Sequence, residues 1–138
     1  MQPTNAHVKP GHIVVVKPNI GWNSPPEVKA TTDPMVVRTI VHLCFKAGAS
    51  KVSVFDRTVS NPRLAYVTSG IQKAAEEAGA RVLHVDNGED ARLYARMTIP
   101  EAYFLTESLV NRYAMECDTF VNVPIAKHHG QAGLTLGM

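Results

Sequence analysis

The sequence predicts an α/β fold: an open, mostly parallel sheet of about four strands with helices on both faces, a three-layer Rossmann-like arrangement. Short apolar runs rich in β-branched residues recur along the chain, as expected of strands covered on both sides. Helix-period stretches with proline-led starts alternate with them, and strand–helix alternation is the pattern of a parallel sheet with crossover connections. Finally, Lys46-Ala47-Gly48-Ala49 before one strand is echoed by Glu77-Ala78-Gly79-Ala80 before the next, which marks two successive βα units.

The first strand spans about residues 12 to 17, centred on Ile13-Val14-Val15-Val16. A long connection from Pro18 to Thr32 follows, broken by Gly21, Pro25 and Pro26, and connections of that length tend to be functional. The first helix opens at Asp33-Pro34, where the carboxylate caps free amides and proline occupies a position that needs no N–H. Val36, Ile40, Leu43, Cys44 and Ala47 form its expected buried stripe, and Gly48 its stop. A second strand covers 51 to 55. Asn61-Pro62 then opens one continuous helix whose stripe is Leu64, Val67, Ile71, Ala74, Ala75 and Ala78. Val82-Leu83-His84-Val85 is the third strand. Between Asn87 and Thr106 the periodicity is poor, and Arg92 to Met97 fits a short helix or an irregular strand. Thr106 is placed as the cap of a helix carrying Leu109, Val110, Tyr113 and Ala114. The fourth strand is 119 to 123, and Pro124 bars its continuation.

Composition narrows the classes of function. A chain of 138 residues is one domain by length, covering 1–138, and buries roughly two-thirds of its unfolded surface. It is 45% hydrophobic and 19% charged, an ordinary globular balance. A net charge of +2, with its basic residues scattered, gives no nucleic-acid stripe. No apolar run reaches the roughly 20 residues of a membrane span. The first residues lack a charged-then-apolar leader, so a cytoplasmic location is expected of the chain as it stands. The two cysteines, Cys44 and Cys117, form no C-x-x-C and read as buried thiols. Gly133 to Met138 ends within an apolar segment, which reads as an amino-terminal piece of a longer protein.

The chemistry gathers where the strands end. In an open parallel sheet the carboxyl ends share one edge, the usual place for a ligand. Lys17 follows a buried run, and its ammonium must reach water or an anion, because isolation in a dry interior costs several kcal/mol. Asp56 and Asp86 end neighbouring strands, about 5 Å apart in the natural topology, and fit metal binding, proton sharing or pairing with Arg57 or Lys17. Lys127-His128-His129 is the densest cluster. Its histidines suit metal ligation, proton transfer or anion binding, though consecutive ones seldom face the same way. Thr31-Thr32-Asp33 and Ser60-Asn61 place free helix amides at the same edge, which favours an anion, although Asp33 competes for those amides. Trp22 suits either the roof of a ligand or a loop anchor. No G-x-G-x-x-G occurs, which argues against a dinucleotide.

Taken together, Val14 to Asn19, Thr31-Thr32-Asp33-Pro34, Ala47-Gly48-Ala49, Val54-Phe55-Asp56, and Asn122-Val123-Pro124 through Lys127-His128-His129 resemble the family called domain of unknown function 362. The resemblance spans about residues 8 to 138. Lys17, Asn19, Asp56, Lys127 and His128 match its recurrent polar motifs. Many members carry ferredoxin-like cysteine clusters for two 4Fe–4S centres or a twin-arginine export signal. The resemblance therefore implies a redox association, a 4Fe–4S cluster in a segment absent from this chain, a ferredoxin-like domain as partner, and an exported location for forms bearing that signal.

The resulting expectation is a site for a small anionic ligand or a metal at the carboxyl edge, with Lys17, Asp56, Lys127 and His128 as catalytic candidates. Asn19, Thr31, Thr32, Arg57 and Asn122 are expected to bind or orient the ligand, and His129 to hold any metal. The competing expectation is a non-catalytic module that docks an iron–sulfur or other partner domain.

Overall fold

The computed structural model describes residues 7–85 and 91–135. Asp86, expected to end the third strand, lies outside the described residues. Four parallel strands make the main sheet: β1 (Ile13–Pro18), β2 (Lys51–Val54), β3 (Arg81–Val82) and β6 (Thr119–Val123), in the order β3-β2-β1-β6. The oldest strand in sequence, β1, is therefore central. Val14 to Val16 pair with Val52 to Val54 on one side and with Thr119 to Val121 on the other. Strand alternation splits the apolar residues between two faces.

Val14, Val16, Val52, Val54 and Val123 face a core completed by α1 (Pro34–Lys46), α2 (Pro62–Thr68) and α3 (Ile71–Glu77). Val15, Phe55, Leu83 and Val85 face a smaller core, against which Tyr94, Tyr113, Ala114 and Cys117 pack. That second layer is thinner. It consists of the hairpin β4 (Tyr94–Thr98) and β5 (Glu107–Asn111) and the single-turn helix α4 (Arg112–Met115). The three-layer α/β class read from the sequence is thus the class observed. A second hairpin, β7 (Lys127–His129) and β8 (Gly133–Thr135), follows the sheet.

The helix starts behave as their residues dictate. Asp33 accepts the Met35 amide at 2.9 Å and Asn61 accepts that of Leu64 at 3.3 Å, each with proline just inside. The expected stripes are displaced, however. In α1 the buried residues are Val37, Val41 and Cys44, whereas Val36 and Leu43 are exposed. In α2 they are Pro62, Ala65 and Tyr66, whereas Leu64 and Val67 are exposed. In each case an equally apolar neighbouring row competes, and helical period alone does not choose between rows. The continuous helix from Asn61 is in fact two. Gly70, at φ 72°, takes a left-handed turn that only glycine adopts without strain, and α3 begins after it.

Two further expectations are corrected. No helix begins at Thr106: residues 107–111 pair antiparallel with β4, and Asn111 instead caps α4 through the Tyr113 amide at 2.9 Å. The third strand is shorter than its apolar run, resuming only as a bridge between Arg57 and Val85. Among the described residues no helix is long and apolar enough to cross a membrane. Both cysteines are free, and burial pushes both thiols up, the state of packing residues rather than nucleophiles.

Candidate functional site at the carboxyl edge

The long connection after β1 is closed at its base by Thr32. Its backbone N–H donates to the Asn19 carbonyl at 2.9 Å, and its hydroxyl accepts the Asn19 amide at 2.8 Å. The same hydroxyl donates to the Val123 carbonyl at 2.7 Å, tying the connection to the end of β6. The next anchor is Asp56. Its Oδ2 accepts the Ile20 amide at 2.6 Å, and its Oδ1 meets the Lys17 ammonium at 2.8 Å. The Asp56 side chain is 5% exposed and that of Lys17 36%, so the carboxylate is buried and the ammonium reaches water. The end of β1, the following loop and the end of β2 are thereby held on one acid.

Tyr66 supports Asp56 from below. The fully buried phenol accepts the Asp56 amide at 2.6 Å and lies within donating reach of the Asp56 carbonyl at 2.6 Å and the Leu83 carbonyl at 3.2 Å. Burial pushes its ionisation far above the ordinary tyrosine range. The sequence does not single out Tyr66, because helical period equally supports a row of Leu64 and Val67. The signal was present: Pro62, Ala65, Tyr66 and Ser69 form the alternative row, and a polar-tipped aromatic there implies a buried acceptor.

Lys127 comes to the same edge from β7. Its Nζ donates to Asn19 Oδ1 at 3.0 Å and to the Ala30 carbonyl at 2.5 Å. Burial lowers its pKa, and the Asp56 carboxylate acts in the opposite direction. Among the described residues no carboxylate stands within ion-pair distance of this ammonium, so two lysines draw on one acid. Lys127 also borders a cleft of about 500 Å³ lined by Trp22, Ala30, His128, His129, Gly130 and Gln131. Trp22 is 52% exposed there.

The remaining candidates divide. Thr31 is buried, and its hydroxyl has no hydrogen-bond partner among the described residues. Arg57 is exposed beside the Val85 bridge, and Asn122 lies opposite Lys17 in the β1–β6 register. His128 and His129 alternate on β7, so Lys127 shares its strand face with His129 and not with His128. The α1 terminus offers little to a ligand. The Met35 amide, helped by Lys29, holds the Asp33 carboxyl below its usual range, so that end already has its anion.

Among the described residues the donor set does not fit a metal. His129 Nδ1 accepts the Gln131 and Ala132 amides at 3.2 and 3.1 Å, and both Asp56 oxygens are engaged. Among the described residues no three His, Cys, Asp or Glu side chains are grouped to hold an ion. Nor can the chain's two cysteines supply the four thiolates of a 4Fe–4S cluster.

A parallel α/β domain with two lysines and a buried aspartate at the carboxyl edge of its sheet is the class that fold and geometry define. The chain matches the family described as domain of unknown function (DUF362) over residues 14–138, and it belongs to that family. No curated protein and no solved structure matches it.

Proposed function

We propose that this domain binds a small anion, a carboxylate or a phosphate, between Lys127 and the cleft walled by Trp22. The observation that carries the reading is the imbalance of charge: among the described residues Asp56 is the one carboxylate acting on both Lys17 and Lys127, and it pairs directly only with Lys17. A half-buried ammonium held by neutral acceptors is electrostatically under-compensated, and an arriving anion supplies what it lacks. Asn19 fixes the Lys127 ammonium in place, and Lys17 adds a second positive centre at the rim. Asp56 acts as the post on which the loop and Lys17 are mounted, not as a mobile acid, because both of its oxygens are in use. The cleft volume of about 500 Å³ suits a small metabolite.

Trp22 is the only tryptophan in the chain, so its fluorescence reports on the cleft alone. Titration with inorganic phosphate, sulfate and succinate should give a saturable change for at least one of them. Lys127→Met should abolish the change while the far-UV spectrum is retained. No saturable response up to about 10 mM, the weak end of specific small-molecule affinity, would refute the reading, as would a response unaltered in Lys127→Met.

A further inference from the structure

The β4–β5 hairpin has no role in the anion reading, and much of it is exposed. Its base joins the smaller core through Tyr94, and α4 continues from its end. Beyond that base, Tyr103 and Phe104 at the tip are 90% and 91% exposed, and Leu105 is 61% exposed. The two tip rings contact each other edge to face at 4.7 Å and expose the rest of their surface. A lone two-stranded hairpin is marginal in water, and it requires a further layer to hold an apolar face.

The pairing register sorts the hairpin's two sides. Arg96 lies opposite Leu109, and Thr98 opposite Glu107, on one side. That side carries the Arg96–Glu107 ion pair at 2.5 Å. On the other, Ala95 lies opposite Val110 and Met97 opposite Ser108, with Ile99 continuing the row toward the tip. This second side therefore has no charged residue within the paired region, and it runs into the aromatic tip.

We propose that this apolar side and the hairpin tip form a self-association surface, through which two copies of this chain pair about a two-fold axis. The area favours a second copy. Met97 and Ile99 are 39% and 37% exposed. Together with the three tip residues they present roughly 650 Å² when a fully exposed large side chain counts about 200 Å². One such face, at roughly 650 Å², slightly exceeds the largest patch of a typical monomer, and two together bury roughly 1,300 Å², within the range of stable protein pairs. The chemistry favours it as well. A face without charge in its paired region can meet its own copy without repulsion, as a two-fold contact demands.

Sedimentation velocity from about 5 to about 200 µM tests the proposal, because dimerisation follows mass action. The wild-type chain should pass from monomer to dimer over this range. Phe104→Asp and Ile99→Lys, each checked for a native far-UV spectrum, should weaken the dimer at least tenfold. Leu109→Lys, on the opposite side of the same hairpin, should leave the dimer constant within about threefold. A wild-type chain that stays monomeric throughout overturns the proposal. A dimer indifferent to Phe104→Asp and Ile99→Lys, or equally weakened by Leu109→Lys, overturns it too. The Trp22 titration is independent of all these outcomes.

Discussion

Thr31 and Thr32 are adjacent, buried and of one chemical type, yet the structure predicts opposite responses to the same substitution. The Thr32 hydroxyl accepts from the Asn19 amide at 2.8 Å and donates to the Val123 carbonyl at 2.7 Å. Thr32→Val keeps the branched shape but removes the oxygen, which strands one donor and one acceptor. At about 1–3 kcal/mol for each buried group left unpaired, and with some relief from local relaxation, the expected cost is about 2–4 kcal/mol. The Thr31 hydroxyl is buried with no partner among the described residues, so it carries a desolvation cost without a compensating bond. Thr31→Val removes that cost and should stabilise the domain by about 1 kcal/mol. Because both changes are nearly isosteric, cavity effects largely cancel from the comparison. Urea unfolding followed by circular dichroism supplies the free energies. For a domain of this size the melting temperatures should separate by at least about 9 °C, at about 3 °C per kcal/mol. If the two variants agree within about 0.5 kcal/mol, or Thr31→Val proves the weaker protein, the hydrogen-bond assignment at the base of the loop is wrong.

Asp56→Ala should cost about 3–5 kcal/mol, since it strands the Ile20 amide and the Lys17 ammonium, and Lys17→Met about 1–2 kcal/mol because that lysine already reaches water. A double-mutant cycle of the two by urea unfolding should show coupling above about 0.5 kcal/mol, and strict additivity would deny the ion pair. Tyr66→Phe should destabilise by about 1–3 kcal/mol, through the lost acceptor of the Asp56 amide. Since burial raises the Tyr66 pKa in the folded state, its contribution is complete below the ordinary value of 10.0 and is lost as pH rises above it. Absorbance titration should accordingly show one of the four tyrosines ionising only as the protein unfolds. Gly48→Ala should cost about 1–3 kcal/mol on thermal melting, because Gly48 sits at φ 97° and an added Cβ would stand 3.0 Å from Pro10 Cα.

The gathering of Lys17 and Asp56 at the sheet edge was legible for a simple physical reason. A run such as Val14-Val15-Val16 can be buried on both faces only inside a covered sheet, so the first lysine after it must emerge at an edge. The same logic placed Asp56 after Val54-Phe55, and the caps Asp33 and Asn61 were readable because capping is a contact between near neighbours. The misplaced features depend on partners distant in sequence. The choice between the Leu64 and Tyr66 rows is made by the strand end that receives the phenol, and the β4–β5 pairing by residues more than a helical turn apart. Local pattern cannot decide either.

Asp56 shows most clearly what this difference means for chemistry. Read from the sequence, it is a carboxylate at a ligand-binding edge, equally suited to a metal, a proton or an ion pair. The Ile20 amide that takes Oδ2 arrives by the path of the loop, and that path is set by the Asn19–Thr32 closure and the tie from Thr32 to Val123. Once the loop is closed, one oxygen belongs to the backbone and the other to Lys17, and proton transfer would require breaking a contact that holds the loop in place. The acid therefore stabilises an arrangement in which, among the described residues, Lys127 has no carboxylate of its own. The one buried acid among the described residues is thus committed to the fold, and the proposed anion site rests on that commitment.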